Sequence, residues 1–455
     1  MGRENGETLS AAWKRADENT AVRNALRGPG GLSQEEFDKR GKELAAMHIF
    51  TDAELKEQRK KQVEMVQKIC SGLDMTEEGK THIWELFGFD ERERKKLAGE
   101  TLYQKLDSGP DVTEEEKTAI WASLLYAASL GYIPPPNSGG HRGRYLWTDA
   151  FGVLNFLTLH QELDEAKYLT LAKRLVASVH DILGRTRDGD SRLPGATDEN
   201  PLGGGLRIGK EEASGPDGDG QYHHYLTIWM FALNRLSIAS GMATYNDQAI
   251  SLACGIHPRF FIGRTTSSPR MVWKISMDMT KPLVSSQGRL DATTGFVVFR
   301  LLQEAAKESH VLETEIADYH KVISQRDSPD ATNDTLDLGM ALWTAHWYAE
   351  KDQWLEKLGE NCLEATKKIF GDEEYKKRTS PHRLAFREFG ALMGARCYAY
   401  DEYMEALTDS IIAMWEKLLS KAPEDLRPIT MVMYSAALLP TAFQRNGLKQ
   451  QSENV

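Results

Sequence analysis

The sequence contains few cysteines and no long apolar segment, and each absence excludes a class of protein. Its 455 residues include four cysteines, which stand far apart and form no CxxC or CxxH pair. Neither a disulfide framework nor a zinc site is therefore indicated. The segment MGRENGETLSAAWKRADENT lacks the apolar stretch of a signal peptide, and no apolar run is long enough to span a membrane. We expect a cytoplasmic protein that does not associate with membranes.

Basic charge is scarce relative to acidic charge. Lys and Arg number 56 against 67 for Asp and Glu, which gives a formal net charge of −11 and argues against general affinity for nucleic acid. No GxGxxG motif follows a predicted strand, and GxxxxGK[ST] and HExxH are absent. These absences remove the dinucleotide, P-loop and zinc-protease classes. The expected partner is a small neutral or cationic molecule, and no cofactor or metal is indicated.

Charged residues dominate the first part of the chain. Residues 1–110 are rich in Glu, Lys, Arg and Gln, with apolar positions at helical spacing, which predicts a helical N-terminal extension. The extension is a candidate surface for wrapping the next domain or for forming a homodimer. A Gly-Pro turn then precedes VTEEEKT, where a threonine cap and acidic residues predict a new helix near residue 112. We expect one domain over 111–446 and a flexible tail over 447–455.

Two kinds of helical segment alternate along residues 111–446. One kind is amphipathic, as in DEAKYLTLAKRLVASVHDILG, and the other is almost entirely apolar or small, as in YHHYLTIWMFALNRLSIASG. Helices that are apolar all round are buried on every side, whereas amphipathic helices cover a surface. Six helices of each kind predict an all-α fold, an (α/α)6 barrel. The count includes covering helices at 244–262 and 308–325, because the alternation requires them.

Long loops lead into the apolar helices, and short turns leave them. The long loops include GYIPPPNSGGHRGRYLWT and IGRTTSSPRMVWKISMDMTKPLVSSQGRL. In an antiparallel helical barrel all of them emerge at one end, above the N-termini of the apolar helices. Long loops commonly carry function, and helix N-termini favour a carboxylate or a developing anion. This end is the predicted active face.

The alternation, the loops on one side and the WTDAFG entry into an apolar helix resemble the six-hairpin glycosidase superfamily over residues 112–445. The resemblance implies an (α/α)6 barrel with a sugar-type pocket at the long-loop end. That superfamily contains glycoside hydrolases, lyases and sugar epimerases. A carbohydrate-active enzyme, in the first instance a glycoside hydrolase, is our first hypothesis.

Four apolar helices open with an acid close to a glycine, and the acids are Asp149, Asp291, Asp337 and Glu388. A carboxylate in the first turn of a buried helix lies at the rim of the central cavity, and a nearby glycine permits close approach. Inverting glycosidases need two carboxyl groups about 6.5–9.5 Å apart. The preferred catalytic pair is Asp149 with Asp219, Asp291 or Glu388. A capping role for each acid is the alternative that the sequence leaves open.

Histidine offers a second chemistry. His223 and His224 begin an apolar helix and lie about 100° apart on the helical wheel, so they do not converge on one metal ion. Either histidine can serve as the acid or base of a sugar epimerase or isomerase. A binding or scaffold barrel without catalytic activity is the third hypothesis.

Basic and aromatic side chains near the same end complete the predicted site. Arginines there pair with the rim acids or hold an anionic substrate, and indole rings stack on the apolar face of a sugar. The predicted substrate-binding residues are His141, Arg142, Arg144, Trp147, His224, Trp273, Asp337 and Arg387.

Overall fold

The computed structural model describes most of the second part of the chain. The described residues are 140–215, 217–377, 383–399, 401–418, 423 and 425–449. They belong to one compact unit, Lys117–Val455. The predicted N-terminal extension over 1–110 and the predicted covering helix near residue 112 lie outside the described residues.

The described residues form twelve α-helices and four two-residue strands, so the prediction of an all-α fold is confirmed. Among these helices none combines the length and the apolar character needed to cross a membrane. The helices are α1 (Leu146–Leu163), α2 (Ala166–Leu183), α3 (His223–Ser240), α4 (Thr244–Phe260), α5 (Asp291–Glu304), α6 (Glu313–Ile323), α7 (Thr335–Ala345), α8 (Gln353–Gly371), α9 (Glu373–Lys376), α10 (Ala385–Tyr398), α11 (Glu402–Glu416) and α12 (Arg427–Leu438).

Burial separates the long helices into the two kinds that the sequence predicts. Most residues of α1, α3, α5, α7, α10 and α12 are buried, because these helices are apolar on every face. The helices α2, α4, α6, α8 and α11 bury one stripe and expose the rest. The covering helices predicted at 244–262 and 308–325 are present as α4 and α6.

The buried helices follow one another in space as they do in sequence. Each one packs against the next, from α1 through α3, α5, α7 and α10 to α12, and α12 packs against α1. Each described covering helix packs against the buried helix that precedes it, as a short connection requires. The rings of Phe151, Phe231, Trp343 and Phe443 meet between the buried helices at centroid separations of 4.8–6.4 Å.

Two short strand pairs fasten the long loop between α4 and α5. Strand β1 (Gln221–Tyr222) pairs antiparallel with β4 (Lys274–Ile275), and β2 (Phe261–Ile262) pairs antiparallel with β3 (Arg270–Met271). Both β3 and β4 lie within the segment RMVWKI of that loop. Because β1 runs directly into α3, the first pair holds this loop against the start of α3.

The end of the chain continues past α12. Residues 441–443 form a 3-10 helix, and the backbone N–H of Lys449 donates to Gln161 Oε1 at 2.9 Å. Of the tail predicted over 447–455, residues 450–455 lie outside the described residues.

Glycine brings α7 and α10 into very close contact. A Cβ on Gly339 would lie 1.9 Å from Gly390 O, and a Cβ on Gly394 would lie 2.0 Å from Gly339 O. We expect Gly339→Ala to lower the free energy of unfolding by about 1–3 kcal/mol, because overpacking forces the helices apart. Gly152→Ala is the matched control, since its Cβ would meet only Leu175 Cδ2, at 3.1 Å. Urea unfolding compares them, and equal midpoint shifts would contradict the close contact.

Candidate active site

The start of α3 carries an exposed histidine surrounded by aromatic rings. His224 has 43% of its side chain exposed, and its ring centroid lies 4.9 Å from that of Tyr225 and 6.4 Å from that of Trp273. The rings of Trp147 and Tyr222 each lie 6.1 Å away. The ring of Tyr145 lies 5.4 Å from that of Tyr225. Together these five aromatic residues form the aromatic cradle: Tyr145, Trp147, Tyr222, Tyr225 and Trp273.

The aromatic cradle depends on three separate parts of the chain. Trp147 stands in the first turn of α1, and Tyr222, His224 and Tyr225 stand at the β1–α3 junction. Trp273 enters from the long loop, where its backbone carbonyl accepts the N–H of His223 at 3.0 Å. The structure therefore brings together three predicted binding residues, Trp147, His224 and Trp273.

Asp291 begins α5 and lies between the two histidines of α3. Its Oδ1 is 3.4 Å from His223 Nδ1 and 3.6 Å from His224 Nδ1. The second distance allows an ion pair but is slightly long for a direct hydrogen bond. Burial alone would raise the pKa of Asp291, but the two histidines outweigh burial and hold this pKa well below its ordinary value. An ionised carboxylate thus faces Nδ1 of His224, while no described residue bonds to Nε2.

His223 lies one layer deeper than His224. Its side chain is fully buried, and its Nε2 is 2.7 Å from the hydroxyl oxygen of Tyr319. Tyr319 fits against α5 because residue 295 is glycine: a Cβ there would lie 2.5 Å from the tyrosine ring. His223 thus holds Asp291 in place from the buried side and has no direct access to a ligand in this structure.

Asp337 stands in the first turn of α7, half-buried, and no described residue forms a hydrogen bond or ion pair with its carboxylate. Burial raises the pKa of Asp337, and the charge of Asp334 raises it further, whereas His224, Arg289 and Arg387 oppose the shift. Asp334 caps α7 by accepting the N–H of Asp337 at 3.1 Å, and it pairs with Arg387. Asp337 and Asp291 therefore have pKa values displaced in opposite directions, as an acid–base pair requires.

Two buried polar atoms of this region have no hydrogen-bond partner in the described part of the chain. They are Trp147 Nε1, a donor, and Asp291 Oδ2, an acceptor. Buried polar groups are almost always bonded to protein, water or ligand. Trp147 Nε1 and Asp291 Oδ2 are therefore a donor and an acceptor that a water molecule or a ligand hydroxyl would satisfy.

Asp149, the preferred catalytic acid of the sequence analysis, is fully buried at the start of α1. Its Oδ1 pairs with Arg144 Nη1 at 2.8 Å, and its Oδ2 accepts the N–H of Tyr145 at 3.2 Å. Burial raises the pKa of Asp149 to about 7, although Arg144 lowers it. Both oxygens are engaged in holding the entry to α1, which is the capping alternative that the sequence left open.

Asp219 and Glu388 are likewise buried and paired with arginine. Asp219 Oδ2 lies 2.7 Å from Arg187 Nη1 and 3.1 Å from Arg207 Nη1. Glu388 Oε2 lies 2.6 Å from Arg383 Nη2. Their carboxylates have almost no exposed surface. In this state neither acid can touch a ligand, and their catalytic roles stay predictions.

His141 and Arg142 belong to a 3-10 turn that packs on the loop after α2. Arg142 has a φ of 60°, and its guanidinium donates to the backbone carbonyl of Asp188. Burial lowers the pKa of His141, and the positive charges of Arg187 and Arg207 lower it further. Within the described residues neither side chain contacts the aromatic cradle.

Several residues of this region are not among those predicted from the sequence. Tyr145, Tyr222 and Tyr225 flank chosen residues in RYLW and QYHHYL, and their position beside those residues was the available signal. Asp334 was detectable as an aspartate directly before a helix, which is a preferred N-cap. Tyr319 comes from α6 and has no local signal, because its partner lies on another helix.

No protein-family model matches the chain, and comparisons with curated proteins and with solved structures also find no match. Across the described ranges no group of three or more His, Cys, Asp or Glu side chains is placed to hold a metal ion. The geometry around His224 is therefore the basis on which a function can be assigned.

Proposed function

We propose that the buried helices close an (α/α)6 barrel whose long-loop end is the active site of a sugar-converting enzyme. The sequential packing from α1 to α12 and back to α1 supports the closed ring. The N-termini of α1, α3, α5 and α7 supply Trp147, His224, Asp291 and Asp337, which supports a site at that end. The resemblance to the six-hairpin superfamily adds the sugar substrate. A cytoplasmic location and a homodimer stay predictions.

Within that barrel, the reaction we propose is isomerisation or epimerisation with His224 as the proton carrier. The observation that carries the proposal is the exposed His224 ring beside the ionised Asp291 inside the aromatic cradle. Histidine exchanges protons near neutral pH, and a carboxylate at one ring nitrogen fixes the ring and leaves the other nitrogen to the substrate. Within the aromatic cradle Tyr145, Tyr225 and Trp273 are partly exposed and offer apolar ring surface to a sugar, whereas Trp147 and Tyr222 are buried.

The proposed mechanism moves two protons. His224 Nε2 removes the proton from the carbon next to the substrate carbonyl, and Asp337 donates a proton to the carbonyl oxygen, which gives an enediol. His224, with 43% of its side chain exposed, exchanges this proton with solvent and then delivers a proton to the former carbonyl carbon. The hydroxyl on the carbon that lost its hydrogen returns a proton to Asp337 and becomes the new carbonyl. Asp291 holds His224 throughout, and His223 and Tyr319 hold Asp291.

Asp291 and Asp337 also support the alternative function, glycoside hydrolysis. Burial raises the pKa of Asp337, which favours a general acid, and Asp291 is ionised, as the base that activates water must be. Asp149, Asp219 and Glu388 have arginine partners instead. The hydrolase alternative therefore uses Asp291 with Asp337 in place of the pair preferred from sequence.

The two functions are separated by their products. The full chain would be incubated with a panel of aldoses, ketoses and disaccharides, including uronic acids and sugar phosphates, and the products resolved by chromatography and mass spectrometry. Conversion of a sugar to another of equal mass supports isomerisation. Cleavage of a disaccharide supports hydrolysis. A panel that yields neither product contradicts both proposals.

Asp337→Asn tests the proposed acid. We expect kcat to fall by about 10²-fold or more, because the amide cannot donate a proton to the carbonyl oxygen. The thermal midpoint should stay nearly constant, since no described residue bonds to this carboxylate. Asp247→Asn, an exposed first-turn acid of α4, is the matched control and should keep full turnover. An Asp337→Asn protein with normal kcat would remove Asp337 from the mechanism.

A further inference from the structure

A cavity of about 420 Å³ opens between the segments that precede α5 and α7 and the covering helix α8. Its wall includes Gly288, Arg289, Arg326 and Trp354. This volume lies within the range of about 300–1,000 Å³ that is usual for small-molecule sites. The cavity is thus large enough for part of a sugar-sized ligand.

Two arginines of the wall have no carboxylate partner among the described residues. Arg289 Nη2 makes one long hydrogen bond, to Ala331 O at 3.4 Å, and Arg326 Nη1 donates to Arg289 O at 2.7 Å. Asp327 and Asp330 also line the cavity, but neither is within ion-pair distance of these guanidinium groups in the described chain. Most of the N–H groups of both arginines are therefore available to a ligand.

The two guanidinium groups also lie close enough to repel each other. Burial lowers the pKa of Arg326, and the positive charge of Arg289 lowers it further, while Asp291 opposes the shift. Each guanidinium group presents a fork of N–H donors that matches the oxygens of a carboxylate or a phosphate. A bound oxyanion would remove the repulsion and satisfy the donors.

The cavity adjoins the proposed active site at Gly288. A Cβ at this position would lie 1.9 Å from Asp291 Oδ2, which is the buried oxygen without a hydrogen-bond partner in the described residues. Arg289 also lowers the pKa of Asp337, so it lies near the second acid as well. A ligand held by the two arginines would therefore lie at the edge of the proposed active site, where Gly288 packs on Asp291.

We propose that Arg289 and Arg326 bind an oxyanion group of the substrate, so that the substrate is an anionic sugar, either a sugar acid or a sugar phosphate. The inference rests on the proposed function for the sugar part of the ligand. Overall charge favours a neutral or cationic ligand, and Asp327 and Asp330 balance the charge of the two arginines at the cavity wall. The proposal therefore depends on the open N–H donors of the arginines and not on a net positive charge.

Isothermal titration of the full chain tests this site with three probes: D-glucuronate, D-glucose 6-phosphate and D-glucose. We expect at least one anionic probe to bind at least tenfold more tightly than glucose, and the stronger of the two identifies carboxylate or phosphate. Arg289→Gln and Arg326→Gln should each weaken that binding about tenfold or more, because each removes charge-assisted hydrogen bonds. Arg259→Gln, at an exposed position of α4, should bind as the parent does.

Arg289→Gln is the decisive variant, because its exposed side chain makes only one long bond, whereas Arg326 also holds the backbone of residue 289. Circular dichroism verifies the fold of each variant. Equal affinity for all three probes, no binding of either anion, or anion binding that survives Arg289→Gln would overturn the proposal.

The anion site and the proposed reaction are tested separately, because each experiment can fail without the other. Anion binding that depends on the arginines, without sugar interconversion, would keep the anion site and remove the proposed reaction. Interconversion of neutral sugars that is unaffected by Arg289→Gln would keep the reaction and remove the anion site.

Discussion

Replacing His224 with glutamine is expected to lower kcat for sugar interconversion by about 10²–10⁴-fold, the usual contribution of a general acid–base group. Glutamine keeps a polar side chain of similar length but does not exchange a proton near neutral pH. The fold should tolerate the change, because 43% of the histidine side chain is exposed and its protein contacts are ring contacts and the ion pair with Asp291. The thermal midpoint should therefore move little.

His310→Gln is the matched control for that experiment. His310 also pairs with an acid, lying 2.7 Å from Glu313, but its side chain is 84% exposed in the segment before α6. Turnover by this variant should equal that of the parent chain. A His224→Gln protein that retained more than about a tenth of kcat would contradict the assignment of the proton carrier. Lost turnover together with a large fall in the thermal midpoint would give His224 a structural role.

Replacing Glu388 with alanine is expected to lower the free energy of unfolding by about 3–5 kcal/mol, the usual result of breaking a buried ion pair from one side. Glu388 accepts two hydrogen bonds from Arg383, at 2.7 and 2.6 Å. It also accepts from the Tyr375 hydroxyl at 2.8 Å and from Trp415 Nε1 at 2.9 Å. Alanine would leave a buried guanidinium without its counterion and two donors without an acceptor.

Denaturant unfolding of the variants and of the parent chain tests this prediction. Glu364→Ala, at an exposed position of α8, should change the free energy of unfolding by less than about 0.5 kcal/mol. The double variant Arg383→Met with Glu388→Leu should recover part of the loss, because it removes both charges together. A loss below about 1 kcal/mol in Glu388→Ala would contradict the structural role. Glu388→Gln with full stability and no turnover would support the catalytic role predicted from sequence.

The helices could be predicted because the pattern of apolar and polar residues in each one indicates how far it is buried. In α3 almost every position from Leu226 to Leu236 is apolar or small, whereas α8 carries one apolar stripe, so the burial of each follows from its pattern. The helices at 244–262 and 308–325 have weaker patterns, and the alternation alone predicted them. Tertiary packing supplies the stability that their local sequence lacks.

The acids in the first turns of the buried helices could be predicted from sequence, but their ion-pair partners were not. Asp149, Asp291, Asp337 and Glu388 all stand in the first turn of a buried helix. The sequence nevertheless held a signal: Asp149 and Glu388 each have an arginine five residues earlier that becomes their ion-pair partner. Asp291 and Asp337 have no arginine at that spacing.

The partners of Asp291 could not be predicted, because they stand on another helix. His223 and His224 reach Asp291 only when α3 packs against α5, and no local pattern specifies that register. The aromatic cradle has the same origin, since Trp273 is brought to α3 by the pairing of β1 with β4. A site whose residues come from three segments of the chain can be recognised only once the fold is known.

Solvent deuterium tests the central claim most directly. The sugar that the panel identifies would be converted in D2O by the parent chain, by His310→Gln and by His224→Gln, and the product examined by proton NMR. The account predicts deuterium at the reacting carbon with the parent chain and His310→Gln, and none above background with His224→Gln. Equal deuterium incorporation by all three proteins, or conversion by the parent chain without any deuterium, would contradict it.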